Sequence, residues 1–125
     1  MLEVGIDSVE ISRIERSIEN KHFFEKVFGC SERAEFESRN MRAETIAASF
    51  ACKEAFGKAL GTGIVGFSLN EVELLHDGRG KPYIELSGKA EMIVESMDAK
   101  VRVSITHTQD VATAVVILFS NCQME

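Results

Sequence analysis

The sequence FACKEAFGKALGTG, residues 50–63, predicts the second half of a buried helix that ends in a glycine turn. This helix is predicted to begin near Ala43 or Glu44 and to end at Leu60, and nearly every position along it is apolar or small. A helix that is apolar on all sides packs inside its domain. We therefore expect residues 43–60 to form the central helix of the fold.

Two charged residues, Glu54 and Lys58, interrupt the apolar part of this helix. They are one turn apart and share a face with Ala51, whereas Ser49 and Lys53 form a separate polar stripe. Charges are rarely buried without a partner, so a carboxylate and an ammonium on a small-residue face favour a ligand cavity. On helical spacing alone, a structural ion pair is the commoner explanation.

The N-terminus offers a second carboxylate. Residues 2–7 predict a short strand with Val4 and Ile6 on one side and Asp7 at its end. Together with Glu54, Asp7 would supply two hard oxygen ligands from different elements, which suits a magnesium ion that completes its shell with water and phosphate oxygens. The lysine one turn along the helix could then hold the same phosphate.

The rest of the chain predicts an α+β domain with a mostly antiparallel sheet. Residues 69–75 and 82–86 predict a hairpin around the turn at 77–80, with His76 exposed beside it. Residues 101–107 and 111–119 predict a second hairpin, and the nearly continuous apolar run of the latter suits the centre of a sheet. The N-terminal strand and these two hairpins would pack on the central helix.

Shorter helices are predicted at residues 8–17, 22–28, from 31 and at 87–97, with Ser8 or Ser12, Ser31 and Ser87 as N-cap candidates. His22 is expected on the surface. The whole chain, residues 1–125, is expected to form one domain with a frayed tail at about 120–125.

The composition excludes several classes of function. A net charge of −6 and a pI near 5.1 argue against a protein that binds nucleic acid or an anionic membrane surface. The first ten residues carry three acids and no basic segment, and no apolar run approaches membrane-spanning length. We therefore expect a cytoplasmic protein. Cys30, Cys52 and Cys122 are odd in number and far apart, which indicates reduced thiols, with Cys52 in the core.

The motifs resemble a known family. VGID at residues 4–7, followed by FACKEAFGK at 50–58, resembles the two-part signature of the 4′-phosphopantetheinyl transferases. GTGI at 61–64, GKP at 80–82 and VSITHT at 103–108 resemble the small bacterial branch, the holo-[acyl-carrier-protein] synthases. The resemblance runs in order from about residue 3 to residue 119.

This resemblance implies an enzyme that moves the 4′-phosphopantetheine arm of coenzyme A onto a serine of apo acyl carrier protein, for fatty acid synthesis. The other product is adenosine 3′,5′-bisphosphate. The implied site has Asp7 and Glu54 as magnesium ligands and Lys58 at the leaving phosphate. The base is left open: Glu54 could take the serine proton directly or through a metal-bound water, or that water alone could serve. His107 is a third implied catalytic residue, and its role as a cation, a hydrogen-bond donor or an acid-base group is left open as well.

The resemblance also implies a coenzyme A site made by Gly61, Thr62, Lys58 and His107. The glycine turn would lie against coenzyme A, and His107 would lie near its phosphates, although an isolated histidine at a strand end is more often structural or exposed. Many family members carry an arginine where this chain has Ser49, so one basic contact to coenzyme A is either missing here or supplied elsewhere.

Arg13 and Arg16 lie three residues apart on the amphipathic helix at 8–17. They could belong to a solvated helix face or to a docking site for an acidic partner, and the resemblance favours docking of the carrier protein. Because seven basic and seven acidic side chains lie between residues 12 and 44, any basic patch must come from folding. The resemblance further implies a homotrimer with active sites between subunits.

Two rival interpretations remain at this point. A different metal-dependent phosphotransferase or phosphohydrolase would use the same Asp7, Glu54 and Lys58 without a carrier protein. In a non-catalytic binding or assembly domain, Glu54 and Lys58 would form a salt bridge and Asp7 would cap the helix that follows it.

Overall fold

The computed structural model describes residues 1–120. The elements are β1 (Leu2–Glu10), α1 (Ile11–Ser17), α2 (Lys21–Val27), α3 (Cys30–Ser38), α4 (Ala43–Leu60), a 3-10 turn (Leu69–Glu71), β2 (Val72–His76), β3 (Pro82–Leu86), α5 (Gly88–Ser96), β4 (Ala99–His107) and β5 (Val111–Ser120). Both predicted hairpins are therefore present, and the α+β class is confirmed.

The strands form two antiparallel sheets. The larger has the order β1–β5–β4, and the smaller is the β2–β3 hairpin. Strand β5 occupies the centre of the larger sheet, as its apolar run predicted, because a strand paired on both sides and packed on one face is largely removed from water. Its inward residues, Ala112, Ala114, Val116 and Leu118, are all fully buried.

Helix α4 is the central helix and has the predicted bounds, Ala43–Leu60. It covers the inner face of the larger sheet with a stripe of small residues at every fourth position, Ala47, Ala51, Ala55 and Ala59, none of which is more than 3% exposed. Gly61 ends the helix in the left-handed conformation with φ of 84° and donates its N–H to the Lys58 carbonyl.

The helix lies unusually near strand β1 at Gly5. A Cβ atom on Gly5 would overlap the Ala55 carbonyl oxygen and would lie 2.5 Å from the Ala59 backbone nitrogen. Only glycine therefore allows this approach of strand and helix. The approach fixes the distance between α4 and Asp7, two residues further along the strand.

Strand β1 is longer than predicted, and the helix after it starts later. Ser8, Val9 and Glu10 continue the strand by pairing with residues 111–113 of β5, so α1 begins at Ile11 rather than at Ser8. The predicted N-caps at Ser8 and Ser12 are accordingly wrong, since Glu10 occupies the N-cap position without a side-chain bond. Pairing with a long neighbouring strand outweighs the local helical pattern.

The outer face of the larger sheet is apolar along β1 and β5 and polar along β4, where Lys100, Arg102 and Ser104 lie. Leu2, Val4 and Ile6 lie together on this face, as the alternation predicted, and they are 70%, 57% and 57% exposed. They pair with Phe119, Ile117 and Val115 of β5, which are only partly buried.

Several smaller predictions need correction. The N-cap of α3 is Gly29, not Ser31, and the Glu32 carboxylate accepts the Gly29 N–H. His76 is not exposed: its Nδ1 lies 2.8 Å from a Glu35 carboxylate oxygen, and 15% of its side chain is accessible. By contrast, Ser87 precedes α5 and His22 is exposed, as predicted.

The cysteines differ in their surroundings. Cys52 lies in the core as predicted, and burial raises the pKa of its thiol to about 12, whereas Cys30 is exposed. Ser120, the first residue of the predicted tail, is the last residue of β5 and pairs with Ala99. The rest of that tail, including Cys122, lies outside the described residues. Between residues 1 and 120, no helix is long and apolar enough to cross a bilayer.

Candidate active site

Asp7 and Lys58 meet although they are far apart in the sequence. The Lys58 ammonium lies 3.1 Å from Asp7 Oδ1 and donates to the Ile6 carbonyl oxygen at 3.0 Å. The lysine side chain is 55% exposed and that of Asp7 is 19% exposed. Lys58 can therefore leave this contact without unpacking the core.

Glu54 lies beside this pair and carries a perturbed carboxyl group. Burial raises the pKa of Glu54, and the charge of Asp7 raises it further, whereas the charges of Lys58 and Arg13 lower it. The perturbation by Asp7 means that the two predicted metal ligands lie close enough to repel each other. Glu54 and Lys58 are thus more than an isolated helical ion pair, because Lys58 contacts Asp7 instead.

This donor set fits a magnesium ion. Asp7 and Glu54 are oxygen donors at a partly exposed site, and their mutual repulsion favours a cation between them. Among residues 1–120, no group of three or more histidine, cysteine or acidic side chains could hold a metal. Magnesium commonly binds one or two carboxylates together with substrate phosphates and water.

The glycine turn lies directly beyond the two charged residues of α4. Gly61 and Thr62 are exposed, and the Gly63 N–H donates to the Gly57 carbonyl oxygen at 3.0 Å. A Cβ atom on Gly57 would lie 2.8 Å from the Gly63 carbonyl carbon. Gly57 therefore allows the turn to fold back onto the helix between Glu54 and Lys58, and Gly61 and Thr62 lie exposed beside these charged residues.

Within one chain, His107 does not lie beside Asp7, Glu54 and Lys58. It lies at the end of β4 and lines a cavity of about 160 Å³ with Glu44, Thr45, Ala48, His76 and Ile105. Glu44 precedes Glu54 by ten residues, a rise of about 15 Å along a helix. The structure thus divides the predicted residues between two places on α4.

One of the exposed basic side chains of α1, Arg13, lies near Glu54. Ile11 and Ile14 are the buried face of this helix, and Arg13 and Arg16 lie on the exposed side. The charge of Arg13 lowers the pKa of Glu54, so this arginine lies within electrostatic reach of the candidate metal ligands. The sequence had given no sign of that proximity.

A second charged cluster was missed. Ser49 and Lys53 are fully buried and do not form a surface stripe. The Lys53 ammonium donates to Glu32 Oε1 at 2.6 Å, and the Ser49 hydroxyl donates to Glu32 Oε2. Because Ser49 faces this interior carboxylate, its side chain is not available to a surface ligand, which agrees with the expectation that no contact to coenzyme A comes from position 49. The only signal for the buried cluster was the presence of Lys53 within the apolar part of the helix.

Comparisons with known proteins show the family to which the chain is similar. A model of the 4′-phosphopantetheinyl transferase superfamily matches residues 3–116. The holo-[acyl-carrier-protein] synthase of Clostridium tetani is 44% identical to the chain over 98% of this chain and 98% of its own length.

Solved structures show the same fold. The holo-[acyl-carrier-protein] synthase of Neisseria meningitidis has a TM-score of 0.87 at 30% identity, over 94% of this chain and 98% of its own. That of Helicobacter pylori, in complex with coenzyme A, has a TM-score of 0.80 at 30% identity, over 93% of this chain and 99% of its own.

Proposed function

This chain belongs to the 4′-phosphopantetheinyl transferase superfamily, and on that basis we propose that Asp7, Glu54 and Lys58 form its active site. The reaction is transfer of the 4′-phosphopantetheine group from coenzyme A to a serine of apo acyl carrier protein, with release of adenosine 3′,5′-bisphosphate. The observation that carries the assignment is the meeting of Lys58 with Asp7 at 3.1 Å beside Glu54.

Each of the three residues has a distinct role in this proposal. Asp7 and Glu54 would hold a magnesium ion, which would supply positive charge to the pyrophosphate of coenzyme A. Lys58 places a positive charge at the leaving phosphate, where negative charge accumulates during the reaction. The half-exposed Lys58 side chain can move from Asp7 to that phosphate.

Glu54 is our candidate for the group that accepts the serine proton. Glu54 lies beside Asp7 and Lys58, and it could take the serine proton directly or through a metal-bound water. Gly61 and Thr62 would bind coenzyme A through the exposed backbone of the turn.

We propose that His107 reaches coenzyme A from a neighbouring subunit of a homotrimer. Its place near Glu44, about 15 Å along α4 from Glu54, argues against a shared site within one chain. The exposed side chains of Leu2, Val4 and Ile6 supply an apolar sheet face that such an assembly would cover.

The carrier protein would dock on α1. Arg13 and Arg16 are exposed there, and Arg13 lies near Glu54, so an acidic carrier held by these side chains would present its serine beside the reacting phosphate. We further propose that the product serves fatty acid synthesis. The cytoplasmic location stays a prediction from composition.

The test is intact-mass spectrometry of apo acyl carrier protein incubated with the protein, coenzyme A and magnesium. We expect a mass gain of one phosphopantetheine that is lost with a chelator and in Glu54→Gln. Glu37→Gln, an exposed glutamate on α3, is the matched control and should retain activity.

Other outcomes would favour the rival functions. Release of phosphate from small esters without modification of any carrier would favour a phosphohydrolase. A folded protein that neither modifies a carrier nor binds coenzyme A would favour a binding domain. Retained activity in the chelator would refute the assigned role of the carboxylates as metal ligands.

A further inference from the structure

The buried Lys53 ammonium does more than neutralise Glu32. Its side chain is 0% exposed, and besides the Glu32 contact it donates to the Val72 carbonyl oxygen at 2.6 Å and to the Leu69 carbonyl oxygen at 3.2 Å. An ammonium has three N–H bonds, so all of them are used. Two of the three N–H bonds therefore bind backbone carbonyl oxygens, and only one binds a carboxylate.

The Leu69 and Val72 carbonyls lie just beyond the C-terminal end of a loop that follows α4. Residues 61–68, which we call the glycine connection, join α4 to the 3-10 turn that begins at Leu69. At the near end, the N–H groups of Gly61 and Gly63 are bound to carbonyls of α4. At the far end, Lys53 holds Leu69, so both ends of the connection are attached to the helix that carries Glu54 and Lys58.

The middle of the glycine connection has little structure of its own. Gly61, Gly63 and Gly66 have φ values of 84°, 69° and 89°, and the side chains of Ile64 and Val65 are exposed. A segment with several left-handed glycines gains little from local side-chain packing. Near the far end, the buried Phe67 ring packs edge-on against Phe56 of α4, with ring centroids 5.3 Å apart. The position of the exposed middle is therefore set by Phe67 and Lys53 at the far end and by the bonds of Gly61 and Gly63 at the near end.

We propose that Lys53 is a positioning residue for coenzyme A, acting by holding the far end of the glycine connection against α4. This inference rests on the proposed function, in which Gly61 and Thr62 of the connection bind coenzyme A. The competing explanation is that Lys53 only compensates the buried charge of Glu32 and contributes to stability.

The test compares Lys53→Met with Ser49→Ala. Methionine keeps an unbranched side chain in the core but cannot hold the Leu69 and Val72 carbonyls. Ser49 bonds the same Glu32 carboxylate, and no bond from Ser49 to the connection is seen in residues 1–120, so it is the matched control. The readouts are the Kd for coenzyme A from calorimetry, and KM and kcat below the melting temperature of each variant.

In Lys53→Met, we expect both Kd and KM for coenzyme A to rise about tenfold, well within what a small misplacement of binding groups can cause. The kcat per folded molecule should change less than about twofold. Ser49→Ala should lower stability and leave Kd and KM unchanged. A Lys53→Met protein that loses stability but binds coenzyme A as the wild type does would overturn the proposal.

Lys53→Met leaves the Glu32 charge unpaired in the core, which could prevent folding. Lys53→Met with Glu32→Gln removes that charge and is expected to show the same rise in Kd. If neither variant folds, Lys53 is required for folding and the positioning role is refuted. If the wild type does not bind coenzyme A, the proposed function fails, and this inference fails with it.

Discussion

Lys58 is expected to compete with the metal ion for Asp7. Its ammonium lies 3.1 Å from Asp7 Oδ1, so a cation that binds Asp7 must displace this contact. A half-exposed ion pair of this kind contributes about 0.2–1 kcal/mol, which corresponds to a factor of about 1.4–5 in affinity. Lys58→Gln should therefore bind a divalent cation up to about fivefold more tightly than the wild type.

The assay is titration with Mn²⁺, followed by electron paramagnetic resonance of the free ion, in the absence of coenzyme A. Arg13→Gln is the matched control, because Arg13 influences Glu54 through its charge and should have a smaller effect. The gain in Lys58→Gln should shrink as salt rises, since exposed pairs are screened. In the presence of metal, Lys58→Gln should bind coenzyme A more weakly than the wild type does.

Equal or weaker Mn²⁺ binding by Lys58→Gln would refute this reasoning. An equal gain in Mn²⁺ affinity in Arg13→Gln would show that the summed charge around the site, and not the contact between Lys58 and Asp7, determines the affinity for the metal.

The remaining predictions concern Glu54, Gly5 and Val4. Burial raises the pKa of Glu54, so without metal the wild-type fold loses stability as the pH rises through that pKa. Glu54→Gln should therefore have a melting temperature a few degrees above that of the wild type at pH 7, and the same melting temperature as the wild type below about pH 4. Gly5→Ala, whose Cβ would overlap Ala55, should cost about 1–3 kcal/mol in urea unfolding and weaken Mn²⁺ binding. Val4→Glu should reduce the mass measured by light scattering from that of the proposed homotrimer to that of a monomer, whereas Met92→Glu, at 68% exposure on α5, should not.

The parts of the fold that the sequence predicted are those decided by neighbouring residues. The bounds of α4 follow from its own apolar run and from Gly61, and the central place of β5 follows from its composition. The end of β1 could not be predicted in this way, because Ser8–Glu10 extend the strand only by pairing with β5, about one hundred residues later.

The charged residues of the candidate site and its surroundings also divide into those that the sequence predicted and those that it did not. Asp7, Glu54 and Lys58 were predicted from residue types and a family resemblance, and the structure places them together. The pairing of Lys53 with Glu32 was missed, because it joins two helices across 21 residues and leaves no periodic pattern. A buried lysine and an exposed one look alike in a sequence until the partner is known.

The alanine stripe of α4 sets a limit on how this sequence can vary. The four alanines are buried in the contact between helix and sheet, and at Gly5 even a Cβ atom would overlap the backbone of α4. In a library that randomises each of these positions separately, active clones should carry glycine, alanine or serine at the alanine positions and glycine alone at position 5. Exposed Met92 should accept most residue types. The positions that tolerate only small residues would therefore identify the contact between helix and sheet.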